Sequence, residues 1–264
     1  MREFLPSLLV LVLLCASTGI GFLVNARLPE RHRSRESVEM IQLAIGLMVT
    51  FTAIVLGLLT SSVKSGFETA YQARGTYAGQ IAQLDRCLRD YGPETDATRA
   101  RLRSYVAAVI ASTWPDEAPP PGATYPDTSK MRQVGEDPTL SEIMNQVGLD
   151  VRALKPADVF HQNMANACMS DYADTIRSRW AVIEGEHGSI ATPFYWVLVF
   201  WLVLLFASFG LRARPNLLSV IVIGLCAVSV SSAVFVIRDL DLPYGGLFGV
   251  PSDSMRDALA DMSR

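Results

Sequence analysis

The sequence predicts an all-α membrane protein: four transmembrane helices, with a helical extramembrane domain inserted between the second and third. Three observations carry this. Phe194 to Gly210 and Leu217 to Ile237 contain no charged residue and are separated by only a short turn. Two further charge-free stretches, Phe4 to Val24 and Met40 to Thr60, lie near the N-terminus. Between the two pairs, about 130 residues, a normal domain size, show apolar positions at helical spacing and no strand-like alternation. A span needs about 20 apolar residues to cross a hydrocarbon core of about 30 Å, and each of the four stretches meets or approaches that length.

The first span, 4–24, follows Arg2 and has a rival reading as a signal peptide cleaved near Ala26. Its apolar run is long for a signal sequence, so a retained helix is expected. The connecting segment Asn25 to Glu39 holds Arg27, Arg31, Arg33 and Arg35 against Glu30, Glu36 and Glu39. The second span, 40–60, carries small and polar residues three or four apart: Gly46, Thr50, Ala53, Gly57 and Ser61. Small residues at that spacing allow close helix approach, and packing is the expected use; the functional alternative is a pore-lining face.

No proline interrupts the chain from Met40 to Gly92, and Val63, Phe67, Ala70, Tyr71, Ala78, Ile81, Leu84, Leu88 and Tyr91 continue the apolar face. One helix is therefore expected to cross the membrane and project beyond it, stopping at Gly92-Pro93. Asp85 with Arg89 and Arg86 with Asp90 are expected as pairs on its polar side. A second helix follows from Thr95 with Leu102, Val106, Val109 and Ile110 inward, and Arg99, Arg101 and Arg103 on a solvated face. Trp114-Pro115 breaks it, and DEAPPPGATYPD reads as an extended loop. A short helix over Pro138 to Val147 comes next. Pro156 then opens a long one, with Phe160, Met164, Ala167, Cys168, Tyr172, Ile176, Trp180 and Ile183 on one face. The extramembrane domain thus covers 61–191.

The third and fourth spans form a hairpin over 192–237. Thr192 is suited to the N-cap and Pro193 to the first helical position, and Pro215 blocks continuation through the turn that carries Arg212 and Arg214. Residues 238–264 hold an acidic motif, Arg238-Asp239-Leu240-Asp241-Leu242-Pro243-Tyr244-Gly245-Gly246. An amphipathic tail follows, with Ser254, Met255, Leu259 and Met262 on its packed side.

Composition excludes several classes. The net charge of −3 and the absence of interleaved basic and aromatic residues give no nucleic-acid platform. No G-x-S-x-G, H-E-x-x-H or phosphate-binding glycine loop occurs, and no span holds a carboxylate pair, so no enzyme, catalytic residue or cofactor is expected. There is no C-x-x-C, and His161 and Cys168 stand too far apart on one helix to share a metal, so none is expected. Cys15 and Cys226 fall inside spans. Cys87 and Cys168 lie in the polar domain, where two unrelated thiols are expected in preference to a disulfide.

Several strings resemble the bacterial bestrophin-like membrane proteins: VLGLLTSSVKSGF, LDRCLRDYGP, the WP segment, RSRW, and TPFYWVLVFWLVLLFASFG through RDLDLPYGG. The turn RARPN and the pair Tyr244-Gly245 depart from that pattern. The resemblance implies four membrane helices with a helical extension, and a relation to the pentameric anion channels called bestrophins. The expected function is accordingly an oligomeric ion channel, conducting anions along an axis lined by Gly46, Thr50, Gly57 and Ser61. The alternative is a non-conducting scaffold or sensor that binds a partner through its helical domain. The expected setting is the bacterial inner membrane, with lipid, a homo-oligomer and small ions as partners.

Two further expectations concern arrangement. The short loops 25–39 and 211–216 hold Arg27, Arg31, Arg33, Arg35, Arg212 and Arg214, a density that places them in the cytoplasm and the polar domain outside. The bestrophin analogy implies the opposite orientation. Asp239 and Asp241, with Pro243 and Gly246 after them, are expected to lock the fourth span to the domain through Arg74 or Arg179. Bestrophins carry a calcium site after their last span, but two carboxylates fall short of the 6–8 oxygens calcium takes.

Overall fold

The computed structural model describes residues 4–27, 35–131, 135–185, 192–213, 216–244 and 246–264. Among them the regular structure is helical and no strand occurs. The helices are α1 (Phe4–Arg27), α2 (Arg35–Tyr91), α3 (Asp96–Thr113), α4 (Pro138–Arg152), α5 (Val159–Gly185), α6 (Thr192–Arg212), α7 (Leu217–Leu240) and α8 (Asp253–Met262). α1, α2, α6 and α7 are each long and apolar enough to cross a membrane.

Local chemistry sets the helix ends. α2 stops where Gly92 takes φ 136°, a conformation closed to residues with a Cβ, and Pro93 follows. Asp137 caps α4 by accepting from the backbone N–H groups of Thr139 at 2.9 Å and Leu140 at 3.4 Å, with Pro138 as the first helical residue. Asn216 caps α7 by accepting from Ser219 N–H at 2.7 Å. α5 begins at Val159, three residues later than Pro156 suggests.

The chain forms two compact units. The first comprises 1–66 and 188–241 and holds α1, the front of α2, α6 and α7. Its core gathers Val10 and Leu14 of α1, Leu198, Leu202 and Phe206 of α6, and Ala227 and Val234 of α7. α1 and α6 meet through glycines: a Cβ at Gly21 would lie 2.2 Å from Ala207 O, and one at Gly210 would lie 2.2 Å from Thr18 O. Close approach of helices through small residues is how packing gains energy where the solvent is itself apolar. The hydroxyls of Ser17 and Thr18 each donate to Leu14 O at 2.9 Å, so these buried polar groups are satisfied on their own helix.

The second unit comprises 67–187 and 242–264. Ile81, Leu84 and Leu88 of α2, Leu102, Val106 and Ile110 of α3, Met144 and Val147 of α4, and Met255 and Met262 of α8 form its core. The inward residues of α3 follow the helical periodicity. Those of α5 do so only partly. Phe160 and Trp180 are exposed, and the buried side is Cys168, Tyr172, Thr175, Arg179 and Val182.

Three expectations are corrected in this unit. Cys87 and Cys168 are bonded to one another, because α2 and α5 bring their Cα atoms to 5.5 Å, within the range a disulfide spans. Asp85 does not pair with Arg89 on a polar side. It is buried, and Arg99 donates to it through Nε at 3.0 Å and Nη2 at 3.1 Å. The basic face of α3 is therefore not simply solvated: Arg99 engages Asp85, and Arg101 pairs with Asp150 of α4. A charged residue on a helix reads as exposed unless a partner from another element meets it, and here two such partners do.

Residues 242–264 are built into the second unit. Trp114 Nε1 donates to Val250 O at 2.9 Å, and Val250 N–H donates to Pro243 O at 2.7 Å. Arg256 of α8 donates to the Glu117 carboxylate at 2.9 and 3.1 Å and to Ala118 O at 2.8 Å, while Ser252 hydrogen-bonds the same carboxylate. Glu117 belongs to the segment 114–137, which contains turns and no helix among its described residues.

Candidate functional site

The membrane-spanning part of α2 leaves its small-residue stripe uncovered. Gly46, Thr50, Ala53, Gly57 and Ser61 are all exposed in the single chain, and nothing lies within 4 Å of a Cβ built at Gly46 or Gly57. Within the chain α2 instead buries Ile45, Thr52 and Val63. The glycine contact of the first unit belongs to α1 and α6. Thr50 Oγ1 donates to Gly46 O at 3.0 Å, which spends the hydroxyl proton on the helix and leaves oxygen lone pairs facing outward. Only 11% of the apolar stretch of α2 is buried, against 39% for α6, so α2 is the span most in need of cover from outside the chain.

The acidic motif divides. Asp239 stands in the last turn of α7 with 5% exposure, whereas Asp241 is the partly exposed C-cap whose N–H donates to Ile237 O at 3.2 Å. Arg238 faces outward, with its guanidinium 5.2 Å from the Tyr195 ring. Pro243 is buried, and its carbonyl takes the Val250 bond. Gly246 is exposed with φ 84°, a turn that needs a residue without a Cβ.

Arg179 is the most engaged of the candidates. It is 7% exposed on α5. Its Nε donates to Tyr105 Oη at 3.2 Å, its Nη2 to Ser141 Oγ at 2.8 Å, and its Nη1 lies 3.5 Å from Glu136. Tyr105 Oη is 2.5 Å from Tyr77 Oη, both rings being buried. Arg74, one turn before Tyr77 on α2, is 2% exposed and lies between two rings, 5.0 Å from Trp114 and 4.4 Å from Tyr244. Burial holds the Tyr77 phenol well above its ordinary pKa, as does the neighbouring Tyr105, and the two guanidinium charges only partly offset them. The second unit therefore contains a buried cluster of two guanidinium groups and two phenols, with the Asp137 carboxylate beside them. Sequence reasoning found Arg179 and Arg74 as possible aspartate partners but missed Tyr77 and Tyr105. Their one sequence signal is that each tyrosine sits on the apolar side of its helix, where its hydroxyl requires a partner.

A family model for the bestrophin-like domain matches residues 12–255. Among solved structures, a bacterial bestrophin homologue from Klebsiella pneumoniae carrying a single substitution aligns with a TM-score of 0.66 and 18% identity. That match covers 100% of this chain and 98% of the other. A second crystal structure of such a homologue from the same organism gives 0.63 and 17%, covering 97% and 98%. At these identities the likeness establishes a shared fold. No match was found among curated proteins.

Proposed function

The chain belongs to the bestrophin-like family, and from that premise we propose that it forms an oligomeric membrane channel for small ions, anions foremost. α2 lies along the conducting path in this reading. The observation that carries it is the uncovered stripe of Gly46, Thr50, Ala53, Gly57 and Ser61 on the least buried span. A helix facing lipid on all open sides gains nothing from hydroxyls and glycines there, whereas a helix facing a shared axis does. Purified protein in planar bilayers is expected to give single-channel currents, with conductance or ion preference altered by Thr50→Val and Ser61→Ala. A well-folded oligomer that stays silent would favour the scaffold reading instead.

The setting of this channel is the bacterial inner membrane, which α1, α2, α6 and α7 cross, with the helical domain on the extracytoplasmic side. Two independent features support that orientation. Arginines concentrate in the segments 25–39 and 211–216. The domain carries a disulfide, a bond that persists in oxidising compartments. A reporter fused after Ala118 tests it, since cytoplasmic reporter activity would reverse the assignment.

A further inference from the structure

Between α1 and α7 the first unit has a groove of about 300 Å³ that its own chain does not fill. Cys15, Gly19 and Phe22 of α1 line one wall, and Val220, Ile223 and Gly224 of α7 line the other. Nothing lies within 4 Å of a Cβ built at Gly19 or Gly224. A helix approaches most closely where the facing residues are small, so this groove suits a ridge of large apolar side chains.

The chain carries such a ridge. Leu43, Leu47 and Phe51 stand four residues apart on α2, each more than half exposed, and Ile54 and Leu58 continue the row. Leu47, Phe51, Ile54 and Leu58 each directly follow a residue of the stripe Gly46, Thr50, Ala53 and Gly57, about 100° further round the helix. One α2 can therefore turn its stripe to a shared axis and its ridge to a neighbouring copy.

Register and charge select that neighbour over a lipid chain. α1 and α2 are consecutive spans that cross the membrane in opposite directions, each rising about 1.5 Å per residue. With Phe51 set opposite Cys15, Leu47 falls opposite Gly19, Leu43 beside Phe22, and Glu39 opposite Arg27. Arg27 ends α1 and Glu39 stands near the start of α2. Both are exposed, and neither side chain has an ion-pair or hydrogen-bond partner among the described residues. Opposite charges thus meet at the level where the ridge ends. An exposed pair adds little affinity but fixes register, which an acyl chain cannot supply.

We propose that Leu43, Leu47 and Phe51 of α2 seat in the α1–α7 groove of a second copy of this chain, with Glu39 paired to Arg27 across the contact. The proposal rests on the oligomeric reading above and names the surface that builds the oligomer. Groove and ridge are different surfaces, so the contact is head-to-tail and repeats from copy to copy around a ring.

The native Cys15 provides the test. Full-length Phe51→Cys, with Cys226→Ala removing the other free thiol, is oxidised in its membranes and separated on a non-reducing gel. A ladder of bands above the monomer is expected, and further Cys15→Ala should abolish it. Leu58→Cys in the same background, about 10 Å further along the helix, should give no ladder. No ladder from Phe51→Cys, or an equal one from Leu58→Cys, would overturn the proposal. A second arm needs no introduced cysteine. Glu39→Arg sets two arginines against each other and should shift the native mass in mild detergent toward monomer, and adding Arg27→Glu should restore the oligomer. An oligomer indifferent to Glu39→Arg would overturn the register. An oligomeric wild type with neither effect rejects this contact and leaves the oligomeric reading standing, whereas a monomeric wild type rejects both.

Discussion

Cys87 on α2 and Cys168 on α5 stand 81 positions apart in the chain, and a disulfide joins them with their Cα atoms 5.5 Å apart. Cys168 is fully buried and Cys87 packs against the same core, so the bond staples two helices of the second unit from within.

Closing a loop of that length removes about 4–5 kcal/mol of chain entropy from the unfolded state in the loop-closure model. Reduction by dithiothreitol, or Cys87→Ser, is therefore expected to lower the unfolding free energy by an amount of that order, read as a lower denaturant midpoint. Thiol counting on protein alkylated before lysis should find neither cysteine reactive. Two free thiols under those conditions would mean that the domain faces a reducing compartment, and would remove one of the two supports for the proposed orientation.

The helices themselves were legible because the physics that forms them acts locally. Charge-free runs give α1, α6 and α7, and the unbroken periodicity from Met40 to Gly92 announces α2 as one helix. The buried charges were not legible. Arg74, Asp85 and Arg179 sit at helical positions like many solvated residues, and their burial is met by groups that arrive from other elements, among them Trp114 and Tyr244 for Arg74, Arg99 for Asp85, and Tyr105 for Arg179. The Cys87–Cys168 pairing was hidden for the same reason: it depends on the register between two helices remote in sequence. The stripe on α2 was visible as a pattern, but whether Gly46 and Gly57 meet a neighbour is a matter of packing, and α1 and α6 use their own glycines.

The Asp85–Arg99 pair makes a graded prediction. Both side chains are largely withdrawn from water, at 3% and 12% exposure, so Arg99→Ala strands a buried carboxylate and should cost about 3–5 kcal/mol in equilibrium unfolding. Arg101 and Asp150 are more exposed, and Arg101→Ala should cost about 1 kcal/mol or less. Equal effects of the two substitutions would contradict the distinction drawn from burial.

Tyr77 makes a prediction in alkali. Its pKa in the folded protein is raised above 10.0 by burial first and by Tyr105 second. A raised folded-state value means that the native protein holds its phenolic proton more tightly than the unfolded chain does. The stabilisation is fully present below the unfolded pKa and is lost as pH climbs from there through the folded value. Wild-type stability should fall more steeply above pH ~10 than that of Tyr77→Phe, which lacks the titrating group. Parallel curves for the two proteins would show that this phenol does not contribute.

Two pairs of glycines separate what holds the membrane unit together from what it presents outward. At Gly21 and Gly210 an added Cβ would run into backbone carbonyls at 2.2 Å, and backbone cannot rotate aside as a side chain can. Gly21→Val or Gly210→Val must push α1 and α6 apart, and overpacking of this kind costs about 1–3 kcal/mol or more. At Gly46 and Gly57 the same substitution meets open space within the chain. Gly46→Val and Gly57→Val should therefore leave the fold of the single chain intact. If α2 lines a shared axis, these two variants should still reach the membrane as folded protein yet change oligomer mass or current. Thermal unfolding in detergent, native mass measurement and bilayer recording distinguish the cases. Loss of fold in Gly57→Val, with Gly21→Val unaffected, would mean that the close helix contact lies on α2 after all.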